Sequence, residues 1–298
     1  MTSALESQLS NILGTPIQKT VPVSGGDISR AYLLYTSAAR AFCKLHAGRK
    51  ALTMFMAEKN GLRAIAASGT IKTPAVLCCE GLEKGACLVL EYVEPKRPSR
   101  RDMEKLGHQL ASLHKIHHTH FGWEQDNFIG SLPQSNQLQP NWSGFYVRER
   151  LMPQLQLAGH KGLLAEKEVP GEDFMVKALK NRMPEVQPSF LHGDLWGGNY
   201  QISSDGVPYL FDPATYYGHH EADIAMTRLF GGFDPVFYGA YESVFPKTEG
   251  WGERQDLYQL YYLLVHLNLF GRSYYPGVSR LLKRYFGAWP PGTGQPGL

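Results

Sequence analysis

Residues 190–212 restrict the fold more than any other stretch of this chain. Phe190 and Leu191 end an apolar run, and His192-Gly193-Asp194-Leu195-Trp196-Gly197-Gly198-Asn199 follows as a glycine-rich loop. Tyr200-Gln201-Ile202-Ser203 and Val207-Pro208-Tyr209-Leu210-Phe211 then flank the turn Ser204-Asp205-Gly206. Two β-rich runs around an Asp-Gly turn predict a hairpin. A hairpin doubles back on itself, so Asp212 must return to the neighbourhood of Asn199. One carboxylate and one carboxamide brought together in this way suit a divalent cation with oxygen ligands.

His192, Asp194 and Asn199 also stand at the spacing H-x-D-x-x-x-x-N. In phosphoryl transfer, the Asp of such a loop aligns and deprotonates the acceptor hydroxyl and the Asn holds magnesium. Loop capping accounts for Asp194 and Asn199 one at a time. It does not explain a second acid at the end of an apolar strand.

The first third of the chain changes period. Leu5, Leu9, Ile12 and Leu13 predict a short helix closed by Gly14, and Val21–Val23, Ala31–Tyr35 and Ala41–Leu45 predict antiparallel strands. Between the first two lies Ser24-Gly25-Gly26-Asp27-Ile28-Ser29. Without Cβ atoms, Gly25 and Gly26 allow backbone N–H groups to approach phosphates; an ordinary hairpin turn uses the same residues. Lys44 interrupts an apolar strand, where a lysine needs a partner. A helix expected over residues 51–68 carries Glu58, and a strand lysine paired with a glutamate on the next helix holds the α- and β-phosphates in protein-kinase-like folds.

Two further strands are expected at Ala75–Cys79 and Ala86–Val93, the second as an edge strand running into a linker at Pro95 and Pro98. In a kinase this crossing is the hinge. The C=O of Glu91 and the N–H of Val93, with Tyr92 between them, would then hydrogen-bond adenine; a sheet edge with no ligand accounts for the same residues.

From residue 94 the pattern is mostly helical. Met103, Leu106, Leu110, Leu113 and Ile116 predict a helix over 102–118, ending among His114, His117, His118 and His120. Histidines so spaced hold a metal in some helices, but imidazoles at a helix C-terminus are equally favoured by its dipole. Residues 121–157 interleave aromatics with amides and acids, which suits a hydroxylated, partly cationic small molecule or simply irregular packing. Helices are expected at 172–182 and, as a pair, over 253–286, followed by a loose tail from Trp289.

Composition narrows the function by exclusion. The chain has 30 basic and 27 acidic residues, net +3, with no basic stripe of the kind nucleic acid requires. Four cysteines (Cys43, Cys78, Cys79, Cys87) lie in strand-like runs without zinc spacing, as buried thiols in a reducing compartment would. No apolar run reaches bilayer length and no basic leader opens the chain, so a cytoplasmic protein is expected, with no membrane partner.

Taken together, the motifs resemble the fructosamine kinase (ketosamine 3-kinase) family, itself related to aminoglycoside and choline phosphotransferases. The likeness rests on His-Gly-Asp-Leu-Trp-Gly-Gly-Asn at 192–199, Phe-Asp-Pro-Ala at 211–214, Tyr217-Gly218-His219 with Glu221 and Asp223, and Leu-Phe-Gly-Gly-Phe at 229–233. It extends through Ile129-Gly130-Ser131 and Asn141-Trp142 back to Lys44 and Glu58. Trp196-Gly197-Gly198 discriminates best, because the wider group shares only the Asp and Asn.

The resemblance implies an α+β, bilobal protein-kinase-like fold. Residues 1–93 would form a nucleotide-binding lobe of antiparallel sheet plus helix, and residues 94–298 a mostly helical lobe with the catalytic loop, metal site and acceptor pocket. It implies ATP and Mg²⁺ as cofactors, Asp194 as base, Asn199 and Asp212 as metal ligands, and Lys44 on the phosphates braced by Glu58. Asp223 would support the catalytic loop, which includes His192, and Trp196 would lie near the acceptor sugar. The implied acceptor is the 3-hydroxyl of a ketosamine, free or on a protein lysine. Asp27 departs from the pattern, standing where many members carry a cysteine, so thiol control through that turn is not expected here. Two other functions compete: phosphotransfer to another hydroxyl, as in an aminoglycoside, choline or homoserine, and nucleotide binding without catalysis.

Overall fold

A computed structural model describes residues 1–23 and 29–287. The Gly25-Gly26-Asp27 turn and the tail from Trp289 lie outside the described residues.

Helix α1 (Ser3–Leu13) starts at Thr2, whose hydroxyl accepts the Leu5 N–H, and ends at Gly14 with φ 65°. That left-handed turn is why glycine closes it. Strands β1 (Ile17–Val23), β2 (Arg30–Thr36), β3 (Arg40–Ala47), β4 (Val76–Leu82) and β5 (Gly85–Glu91) form one sheet in the order β1-β2-β3-β5-β4, antiparallel throughout. Helix α2 (Ala51–Ala67) connects β3 to β4.

Alternation along the strands builds two cores. Leu34, Cys43, Cys87 and Val89 pack with Leu9 of α1, while Ala86, Leu88 and Leu90 pack with Phe55 and Leu62 of α2. Strand β5 is therefore covered on both faces and buried from Ala86 to Leu90. This corrects the expectation of an edge strand: β5 lies between β3 and β4, and the edges are β1 and β4. A continuous apolar run marks burial on two faces. Pro95 and Pro98 mark where the chain leaves the sheet.

Helix α3 (Arg100–His114) begins before Asp102, because Ser99 and Asp102 cap it reciprocally. The Ser99 hydroxyl accepts the Asp102 N–H at 3.3 Å, and the Asp102 carboxylate accepts the Ser99 N–H at 2.8 Å. The helix also stops earlier than the predicted 118. His118 N–H donates to Pro188 C=O and Phe190 N–H to Ile116 C=O, so backbone groups past His114 go to a strand bridge instead of a further helical turn. Among the described residues no cluster of three or more His, Cys, Asp or Glu is placed to hold a metal.

Asp102 yields a pH prediction. Burial raises its pKa, but hydrogen bonds from Ser99 and the Lys96 ammonium at 3.0 Å outweigh this and lower it to about 2, from an ordinary 3.8. A carboxyl depressed in the folded state stabilises above its unfolded pKa and loses that contribution as pH falls through its folded one. Asp102→Asn is therefore expected to melt below the wild type at neutral pH, with the gap closing between pH 3.8 and about 2. Thermal melts across that range check it; a gap independent of pH would contradict it.

The chain continues through β6 (Asn127–Ile129), β7 (Leu132–Gln134), α4 (Trp142–Phe145), a wide helical turn at Tyr146–Leu151, α5 (Met152–His160), α6 (Glu172–Lys180) and β8 (Ser189–Leu191). Then come β9 (Tyr200–Ile202), β10 (Pro208–Leu210), β11 (Tyr216–Gly218), α7 (Glu221–Leu229), α8 (Pro235–Glu242), α9 (Trp251–Phe270) and α10 (Tyr275–Phe286).

These elements gather into two compact units interleaved in sequence. Within the described residues, the first is drawn from Met1–Leu113, Trp196–Ala214 and Phe233–Phe245, and the second from His114–Leu195, Thr215–Gly232 and the chain from Pro246 onward. In the first, α3 lies so close to α8 that a β-carbon on Gly107 would stand 2.4 Å from the Phe237 carbonyl oxygen. In the second, α9 is the central helix, burying Leu257, Tyr258, Leu260, Tyr261 and Leu264.

Candidate active site

In the first unit the hairpin forms in the register Pro208↔Ile202, Tyr209↔Gln201, Leu210↔Tyr200. Phe211 N–H donates to Asn199 C=O at 2.9 Å, so the residues before and after the hairpin lie side by side. Asp212 has φ 52°, the one non-glycine residue at positive φ among those described. Aspartate tolerates this region better than most residues, and a strained carboxylate is a common feature of ligand sites.

The Lys44 ammonium bridges two carboxylates. It donates to Glu58 Oε1 at 2.8 Å and also to Asp212 Oδ1. Sheet alternation sets one half of this contact: Cys43 belongs to the α1 core, and Phe42, two residues before Lys44, packs on the α2 side. Helix periodicity sets the other, since Glu58 falls between Phe55 and Leu62, both packed on the sheet. Burial alone would lower the pKa of Lys44, but the Asp212 and Glu58 carboxylates outweigh it and hold the ammonium above the ordinary lysine range. Burial raises Glu58, Lys44 pulls it back and Asp212 raises it again, leaving it at about 7.

The segment after β5 is laced to β9. Glu91 N–H donates to Ala75 C=O at 2.8 Å, and its carboxylate accepts the Ala75 N–H at 3.1 Å. Val93 C=O accepts Gln201 Nε2 at 2.6 Å, Glu94 C=O accepts Ser204 N–H at 2.8 Å, and Lys96 N–H donates to Ile202 C=O at 2.9 Å. Arg40 pairs with Glu94 and lies over the Tyr92 ring, 4.5 Å from its centre. Trp196 is 39% exposed. A β-carbon on Gly198 would stand 2.4 Å from its indole, so a larger residue there would force the ring to move.

In the second unit, Asp223 holds the loop that carries Asp194. Its two oxygens accept the N–H of His192 at 2.8 Å and of Gly193 at 2.9 Å, and His114 Nε2 lies 3.1 Å from Oδ2. Asp223 and His114 are fully buried. Burial would raise the Asp223 pKa, but the His114 hydrogen bond, the neighbouring His114 and His192 rings and the Gly193 N–H bring it below the ordinary carboxylate value. Gly193 has φ 87°, its carbonyl accepts the Tyr262 hydroxyl at 3.2 Å, and Asp194 N–H donates to His192 Nδ1 at 3.2 Å.

Of the residues singled out in the sequence, Lys44, Glu58, Glu91, Tyr92, Val93, Trp196, Asn199 and Asp212 lie in the first unit, and His192, Asp194 and Asp223 in the second. The contacts drew in Tyr262 and Gln201, which sequence reasoning had passed over, and gave His114, read there as one of four helix-end histidines, a buried carboxylate partner.

The family model described as fructosamine kinase matches residues 1–287. The chain is 40% identical over 273 residues to a probable ketoamine kinase of Lactiplantibacillus plantarum, covering 91% of this chain and 95% of that protein. It is 35% identical over 303 residues to ketosamine-3-kinase of Mus musculus, covering 91% and 96%. A solved structure from Haemophilus somnus, named for fructosamine-3-kinase, superposes with a TM-score of 0.85 at 27% identity over 95% of this chain and 96% of that one.

Proposed function

The chain belongs to the fructosamine kinase family, and on that premise we propose that it transfers the γ-phosphoryl group of ATP to the 3-hydroxyl of a ketosamine. The observation that carries this reading is the Lys44–Glu58–Asp212 cluster beside the Asn199 hairpin. Lys44 grips the α- and β-phosphates and Glu58 keeps it extended. The hinge groups of Glu91 and Val93 hold adenine past Tyr92.

Asn199 and Asp212 would hold Mg²⁺. The donor set fits, since this ion takes one or two protein oxygens and completes its shell with phosphates and water. The Asp212 carboxylate already receives a cation, the Lys44 ammonium. Held there, the ion would offset the negative charge that builds on the phosphates during transfer. Asp194 orients the acceptor hydroxyl and takes its proton as the oxygen bonds to phosphorus and ADP leaves. Asp223 and Tyr262 hold the backbone on either side of Gly193, which limits the freedom of Asp194. Trp196 takes the face of the acceptor sugar.

The biological role that follows is removal of sugar adducts from amines, including protein lysines. A cytoplasmic location belongs to the same proposal, supported by four free cysteines. No described helix is long and apolar enough to cross a membrane. We keep residues 1–93 as the nucleotide-binding lobe in this scheme.

An ATP-consumption assay over ribulosamine, fructosamine, erythrulosamine and a panel of aminoglycosides tests the proposal. Turnover is expected on at least one ketosamine. Turnover on aminoglycosides alone would remove the ketosamine assignment, and ATP binding with no turnover on any acceptor would favour a non-catalytic protein. Retention of Lys44, Asp194, Asn199 and Asp212 together argues against that last outcome.

A further inference from the structure

We infer that Gln201 makes this site selective for adenine over guanine by capping the hinge carbonyl that guanine would need. The inference rests on the proposed placement of the nucleotide base at Glu91–Val93. Gln201 lies in the middle of β9, two residues after Asn199, which immediately precedes that strand. Asn199 is the proposed metal ligand. Gln201 reaches the Val93 carbonyl and donates to it at 2.6 Å.

The hinge backbone offers three groups in order: Glu91 C=O, Val93 N–H and Val93 C=O. Adenine uses the first two, donating N6–H to Glu91 C=O and accepting at N1 from Val93 N–H. Guanine reverses that edge, with O6 as acceptor and N1–H and N2–H as donors. Placed like adenine, its O6 would face the Glu91 carbonyl, lone pair against lone pair. It fits only one group further along, with O6 on Val93 N–H and N1–H on Val93 C=O. There the Gln201 amide already takes one of the oxygen's two lone pairs, so guanine N1–H must share the acceptor with it.

The hinge has little freedom to move away. Glu91 is fixed to Ala75 through both its N–H and its carboxylate. Glu94 C=O and Lys96 N–H are bonded to Ser204 and Ile202, on either side of the Ser203 bridge to Pro95. Val93 itself is buried. A base that needs the carbonyl must therefore compete with the glutamine for it, because the backbone is held at each step.

Gln201→Leu and Gln201→Met keep the bulk of the side chain and remove its donor. Titration calorimetry of MgATP and MgGTP against the wild type and both variants, with melting curves to confirm folding, tests the inference. The wild type is expected to prefer ATP strongly, and either folded variant to lose about tenfold or more of that preference, mainly by gaining GTP affinity, as one freed hydrogen-bond position allows. An unchanged ATP/GTP ratio in a folded variant that still binds ATP would overturn this inference alone, as would a wild type that takes both nucleotides equally. Absence of binding by either nucleotide to the wild type would overturn the proposed function along with it.

Discussion

Asp194→Asn is expected to lower kcat by about 10³-fold or more while leaving the affinity for ATP nearly unchanged. The substitution keeps the size of the side chain and removes the base. Four of the loop's contacts run through backbone and do not involve the substituted group: His192 N–H and Gly193 N–H to Asp223, Gly193 C=O to Tyr262, and Asp194's own N–H to His192 Nδ1. Melting curves of the variant separate loss of the carboxylate from a displaced loop. Steady-state kinetics on the best ketosamine, paired with calorimetric ATP binding, measures both halves. A variant within tenfold of the wild-type kcat would exclude Asp194 as the base. Equal losses in ATP affinity and kcat would indicate instead that the residue supports the nucleotide.

Arg254→Leu is expected to cost about 3–5 kcal/mol of stability, because it strands a buried carboxylate. Arg254 is 2% exposed and Glu221 4%. The guanidinium reaches both Glu221 oxygens, at 2.7 and 2.8 Å, and also bonds Glu249 C=O and the Thr248 hydroxyl, tying the turn before α9 to the first turn of α7. Burial raises the Glu221 pKa and Arg254 is what opposes it, so without the arginine Glu221 must take up a proton or draw in water. The double variant Arg254→Leu with Glu221→Leu is expected to recover much of the loss, since an apolar pair can replace a buried ion pair at small cost. Urea denaturation of the two single variants and the double variant checks this. A double variant as unstable as the sum of the singles would show that the pair acts through the Glu249 and Thr248 contacts and not through charge burial.

Much of the first unit was legible because its signals are short. The Asp-Gly hairpin, the alternation around Lys44 and the Gly14 helix stop each depend on a few consecutive residues, and each appears in the fold. Strand β5 was misplaced because an apolar run followed by prolines looks the same whether the sheet ends there or another strand covers it. The start of α3 was readable from Ser99 and Asp102, a capping pair that the hydrophobic stripe obscured. Its end was not, because the groups that stop it, at Pro188 and Phe190, lie some seventy residues later in the chain.

The sequence by itself determined the spacing of His192, Asp194 and Asn199, the return of Asp212 to Asn199, and the family to which these residues point. Those features follow from covalent distance and strand or helix period, which local residues dictate. Only the tertiary structure decided that Lys44 would meet Asp212 across 168 residues, that His114 and two loop N–H groups would share Asp223, and that Gln201 would cap Val93. Each of these is a buried polar group satisfied by a partner remote in sequence. The requirement that such groups be paired is general, but which partner arrives is set by packing within each unit, of the sheet with the hairpin in the first and of the loop with α7 and α9 in the second.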